Sequence, residues 1–142
     1  MPLISSPRHL RYVLWADAIS CLMCGAVQVA FTRSLAHDLG FSPMLLLTTG
    51  NFLLLYAAAV AFLATRARAP SAIIGLLIAG NLMWGVAAVA LLLSGEFEPT
   101  FLGKAYVVAQ ALTVAVLAEL QYYFAFRHGR ASPAHARFSQ GS

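Results

Sequence analysis

The stretch Ala72 to Leu93, AIIGLLIAGNLMWGVAAVALLL, decides what kind of molecule this is. It holds no charged residue, and a helix of that length crosses a hydrocarbon core about 30 Å thick. Three further stretches are of the same kind: Val13 to Phe31, Met44 to Leu63 and Leu102 to Phe126. Four spans in 142 residues leave short connections and no room for a soluble domain. Hydrophobic residues make up 61% of the chain and charged residues 10%, against about 25% charged in soluble proteins. Lipid can absorb that much apolar surface; a soluble core of this size cannot. The expected fold is therefore an all-α integral membrane protein. One membrane domain over residues 1–127 would have spans near 11–32, 43–65, 71–94 and 101–126, followed by a polar tail, 128–142, expected to be disordered.

The net charge of +4 is placed unevenly. Arg8 and Arg11 precede the first span, Arg66 and Arg68 join the second to the third, and Arg127, Arg130 and Arg137 follow the fourth. The other two connections carry only Arg33 and Lys104, offset by Asp38, Glu96 and Glu98. This asymmetry is the positive-inside pattern. It predicts a multi-pass protein of the inner (cytoplasmic) membrane with both termini cytoplasmic, and it argues against nucleic acid as a partner. Tyr12, Trp15, Tyr122, Tyr123 and Phe126 would form the inner aromatic belt, and Phe31, Phe41, Phe97, Phe101 and Tyr106 the outer one. Asp17 interrupts the first apolar run and no small-x-small site follows it, so that span reads as retained rather than cleaved.

The connections carry helix breakers. Thr32 to Pro43 has room for a brief interfacial helix around Leu35 to Leu39, while Arg66 to Pro70 and Ser94 to Thr100 read as tight turns. Short connections make successive spans antiparallel, which predicts an up-down four-helix transmembrane bundle.

Few polar residues enter the spans, and their spacing matters. Asp17, Ser20, Cys21, Cys24 and Gln28 fall within a sector about 100° wide on a helix of 3.6 residues per turn. Such a face must meet protein or water, since lipid would leave its groups without partners. Glu119 in the fourth span is the second intramembrane acid. Counted from Arg11 and Arg127, the two acids lie roughly 9 and 12 Å deep. One expectation is a proton- or cation-linked site built on both; the plainer one is that each finds local hydrogen bonds or a surface arginine. Asn51, Asn81 and Gln110 lie nearer mid-membrane and read as interhelical glue. Gln110 and Gln121 share a face of the fourth span, with Glu119 pointing elsewhere. Close packing is expected at the small-xxx-small pairs Gly75 and Ala79, Ala105 and Ala109, and Ala111 and Ala115.

Cys21-Leu-Met-Cys24 invites comparison with membrane thiol oxidases, but it lies mid-span with no other cysteine in the chain. Two thiols at i and i+3 of a helix are badly placed for an unstrained disulfide, so both read as inert. His9, His37, His128 and His135 all lie outside the spans, which argues against haem ligation. No catalytic constellation, metal-ligand cluster or phosphate loop is present, and no cofactor is expected beyond a bound lipid, quinone or pigment.

The features Asp17-Ala18, Asn81-x-x-Trp84, Ala109-Gln110-Ala111 and Glu119-x-Gln121, with Pro99-Thr100-Phe101-Leu102-Gly103 in the last outer connection, resemble a group of uncharacterised bacterial four-span inner-membrane proteins. The resemblance covers roughly Leu10 to Phe126; it implies the topology and no activity. Small multidrug-resistance transporters are similar in span number and in a first-span acid, but their other signature residues are not evident. The leading expectation is a structural or accessory subunit, self-associating as a homo-oligomer or docked on other membrane subunits of a larger inner-membrane complex. The alternative is a small oligomeric transporter or channel using Asp17 and Glu119. A third is a lipid, quinone or pigment binder using the groove beside Trp84.

Overall fold

Capping residues set where two of the long helices begin. The Ser42 hydroxyl accepts from Leu45 N at 3.1 Å with Pro43 in the first turn, and the Thr100 hydroxyl accepts from Gly103 N at 3.1 Å. In the computed structural model, which describes residues 3–5 and 8–127, the order is β1 (Leu3–Ser5), α1 (Arg8–Ala30), α2 (Thr32–Leu39), α3 (Pro43–Ala64), β2 (Arg68–Pro70), α4 (Ser71–Leu93) and α5 (Phe101–Tyr122). A π-helical turn, Tyr123–Arg127, continues α5. Four of these helices are long and apolar enough to cross a membrane, namely α1, α3, α4 and α5 with its π-turn. Among the described residues the protein is an all-helical membrane protein but for one short strand pair. The tail 128–142, with His128 and His135, lies outside the described residues.

The brief helix expected before the second span is α2. Gly40 ends it in the left-handed conformation (φ 76°), donating its N–H to Ala36 O. A side chain at Gly40 would be strained by that φ and would also meet Glu98 O at 2.7 Å. The turn expected at Arg66 to Pro70 is different in kind. Residues 68–70 are extended and pair antiparallel with β1 in the register Leu3↔Pro70, Ile4↔Ala69 and Ser5↔Arg68. Pro70 favours an extended Ala69 before it, and the backbone groups of that segment then find partners in the N-terminal strand.

The helices associate as two tight pairs, α1 with α3 and α4 with α5, and α1 also runs along part of α5. In the first pair the backbones touch through two glycines. A Cβ on Gly25 would meet Gly50 O at 2.8 Å, and one on Gly50 would meet Gln28 Cβ at 3.0 Å. The two pairs are joined by an apolar cluster at each end. One gathers Leu10 and Leu14 of α1, Val60 and Leu63 of α3, Ile74 of α4 and Ala125 of the π-turn. The other gathers Leu39 of α2, Phe41, Leu46 of α3 and Val107 of α5, with Leu91 and Leu92 of α4 packed against them. At this second end α2 is fastened to α5. Thr100 N donates to Leu39 O at 3.1 Å, its hydroxyl donates to Asp38 O at 2.7 Å, and Gly103 leaves the space that the Leu39 carbonyl occupies.

Candidate functional site

Between the two apolar ends lie two layers of polar side chains. The first centres on Asp17, which is 0% exposed. Its Oδ2 accepts from Gln121 Nε2 of α5 at 2.8 Å, from Asn81 Nδ2 of α4 at 3.2 Å and from the Tyr56 hydroxyl of α3 at 3.2 Å. Its Oδ1 accepts from the Cys21 thiol at 3.6 Å. Asn81 Nδ2 also reaches Gln121 Oε1 at 3.3 Å. One carboxyl thus collects a donor from each of the other three spans. Among the described residues it has no cationic partner.

The second layer is about three turns along α1, at Gln28. Gln28 Nε2 donates to the Tyr106 hydroxyl of α5 at 2.5 Å, and its Oε1 accepts from the Thr49 hydroxyl of α3 at 2.7 Å. The same Tyr106 oxygen lies 3.2 Å from Cys24 Sγ, and Gln110 Nε2 donates to that sulfur at 3.7 Å. Asp17, Cys21 and Gln28 are buried, and Ser20 and Cys24 are half-buried, so the face expected on the first span does look inward. Both cysteines are free thiols.

Between the layers the helix pairs do not close on one another. Three clefts adjoin at Trp84 of α4, about 230, 240 and 330 Å³ in volume. The first is bounded by Gln28, Thr49 and Tyr106, the second by Cys24, Tyr106 and Gln110, and the third by Phe52, Tyr56 and Met83. The Trp84 ring stacks on Phe52 at 5.4 Å with 5° between planes. Its Nε1 is buried and has no hydrogen-bond partner, alone in this among the side-chain nitrogens and oxygens of the described residues. The third of these clefts by itself reaches the lower end of the roughly 300–1,000 Å³ typical of small-ligand sites, and its walls are mostly apolar with a few polar groups.

The remaining sequence candidates fall elsewhere. Glu119 is exposed on the outer side of α5, so it does not join Asp17. Gln121, two residues on, is the member of that motif that turns inward. Asn51 is exposed and donates to Leu47 O at 2.8 Å within its own helix, because the inward stripe of α3 runs through Leu46, Gly50, Leu53, Ala57 and Val60. Nothing lies within 4 Å of a Cβ placed on Gly75, and Ala79, Ala105 and Ala109 are exposed. Ala111 and Ala115 are half-buried and border a hollow against Gly85 and Val86 of α4. Tyr106, expected in the outer aromatic belt, is half-buried and hydrogen-bonded in the second layer. Tyr56, Thr49 and the Gly25–Gly50 contact are additions to the expected set. Gly25 does lie one turn from Cys21 on the inward face of α1, which is the signal that could have found it.

No group of three metal-ligating side chains occurs among the described residues. No family model, curated protein or solved structure matches the chain.

Proposed function

We propose that the chain holds a largely apolar molecule of the lipid, quinone or pigment class between its two helix pairs, beside Trp84. The observation that carries this is the partnerless Trp84 N–H where the three clefts adjoin. A buried donor left without an acceptor costs about 1–3 kcal/mol, and a ligand with one carbonyl or ether oxygen removes that cost while its apolar body fills the clefts. The proposal includes an alternating up-down bundle in the inner membrane with both termini cytoplasmic, supported by Arg8, Arg11, Arg66, Arg68 and Arg127, which all lie next to the apolar cluster around Leu10 and Ile74. It also includes membership of the bacterial four-span group that the sequence resembles, supported by the meeting of Asp17, Asn81 and Gln121, which belong to its motifs.

The test uses the chain's two tryptophans. With Trp15→Phe, Trp84 becomes the sole fluorophore, and titration with a short-chain ubiquinone in nanodiscs should quench it saturably. Ala87→Phe in the same background fills the cleft beside Trp84 and should abolish the saturable part. Quenching that never saturates, or that survives Ala87→Phe, overturns the proposal.

A second reading, an accessory subunit that self-associates or docks on a larger complex, is favoured by α4. Only Ile74 and Asn81 of that helix are buried, and the space over Gly75 is open. Small residues on an open helix face let another transmembrane helix approach closely. Native mass measured after gentle extraction tests it: a fixed stoichiometric assembly that loosens in Gly75→Leu supports docking through α4, and a lone monomer removes it. Transport coupled through Asp17 and Glu119 together has less support, because the two acids occupy opposite sides of the protein wall.

A further inference from the structure

We propose that Glu119 and Arg127 form a binding site for a lipid headgroup carrying both a phosphate and a primary ammonium, on the outer surface of α5. The site is separate from the clefts beside Trp84 and stands or falls independently of them. Both side chains line one hollow of about 530 Å³, together with Val116, Leu120, Tyr122 and Tyr123. Both are exposed, and no ion pair joins them within 4.0 Å. Neither has a side-chain hydrogen bond within the described residues. Two opposite charges that share a hollow without meeting are complementary to a zwitterion that can span them.

The backbone explains why they share it. Eight residues advance a regular α-helix about 80° beyond two full turns, which would carry Arg127 away from the side of Glu119. The π-turn Tyr123–Arg127 is wider, closing on i→i+5 bonds, so the chain rotates less per residue and Arg127 returns over the same side. Glu119 itself lies about two turns from Arg127, deeper than the basic end of the span, with Val116 and Leu120 flanking it. A carboxylate in that setting is costly in hydrocarbon unless a donor reaches it. A primary ammonium brings three N–H donors to Glu119, and the neighbouring phosphate takes the planar guanidinium of Arg127. Val116 and Leu120 supply an apolar floor for the first part of the acyl chains, and the tyrosine rings suit the interfacial depth. A choline headgroup has no N–H for Glu119, and a glycerol headgroup has no cation, so the site selects ethanolamine or serine-type headgroups. Of these the ethanolamine lipid fits better, because it adds no second carboxylate beside Glu119.

The test is native mass spectrometry of the full-length protein released from nanodiscs of equal parts phosphatidylethanolamine, phosphatidylcholine and phosphatidylglycerol. Retention of phosphatidylethanolamine should exceed that of phosphatidylcholine by about tenfold, the scale of one charge-assisted hydrogen bond. Glu119→Gln should erase that preference while Glu119→Asp keeps part of it, and Arg127→Gln should weaken retention of all three lipids. Free phosphoethanolamine should not compete, since it lacks the acyl chains seated on Val116 and Leu120. Equal retention of the ethanolamine and choline lipids overturns the proposal, as does a preference that survives Glu119→Gln. A dimer that dissociates in Glu119→Gln with no lipid preference would assign the hollow to a second copy of the chain, and would overturn it too.

Discussion

The contact between α1 and α3 and the contact between the two helix pairs are built on opposite plans. In the first, Gly25 and Gly50 let backbone meet backbone, so the pair has one close fit and no spare volume there. In the second, the apolar clusters close only the ends, and the middle is held by long polar side chains converging on Asp17 and Gln28 with clefts left open around Trp84. Hydrogen bonds through side chains hold helices at a distance that glycine contacts would collapse. The difference separates a joint that fixes architecture from a seam that can admit a molecule.

The largest effect is expected from overpacking the glycine joint. Gly25→Leu should destabilise the protein by about 3 kcal/mol or more, since even its first carbon collides with the Gly50 carbonyl, which is backbone and cannot step aside. Steric-trap unfolding in bicelles measures it, and a loss below about 1 kcal/mol would show that the close fit is not there. Next comes the hub of the seam. Asp17→Ala leaves donors on Tyr56, Asn81 and Gln121 without their shared acceptor and should cost roughly 1–3 kcal/mol in the same assay. A double-mutant cycle between Asp17 and Gln121 should give a coupling of at least about 0.6 kcal/mol, the average for interhelical hydrogen bonds in membranes, and up to about 1.7 kcal/mol, the largest such value. Zero coupling would dissolve the node into separate local contacts. The smallest effects belong to the outer surface: Glu119→Gln and Gly75→Leu should leave the thermal midpoint of the monomer unchanged, because Glu119 is exposed and the space over Gly75 is open. A clear shift at Gly75 would mean that α4 packs against something in the assembled protein.

The same contrasts account for what is legible in the sequence. Hydropathy alone marks four spans, because a helix must be apolar over its whole length to cross lipid. The face of α1 is legible too, since five polar residues at helical spacing would be stranded if that face met lipid. Single residues are less so. Glu119 and Gln121 sit two positions apart, and only the orientation of α5 against its neighbours decides which one is buried. Asn51 resembles Asn81 in depth and type but lies one residue off the inward stripe of α3, where its amide turns back to Leu47 O. Small residues four apart on one helix are the usual sign of close packing, whereas the contact here uses one glycine from each of two helices. Tyr106 lies near the end of a span, where tyrosine ordinarily marks the interface, but Gln28 and Cys24 draw its hydroxyl inward.

The arrangement around Asp17 also bears on the order in which the protein is made. Asp17 leaves the ribosome 39 residues ahead of Tyr56, 64 ahead of Asn81 and 104 ahead of Gln121. At translation rates of about 5–20 residues per second, the first span waits roughly 5–20 s for its last donor. During that interval the acid holds only part of its donor set, first Cys21 of its own helix, then Tyr56, then Asn81, which disfavours independent release of the first span into lipid. The donor set of this acid is therefore complete only when the last span has been made.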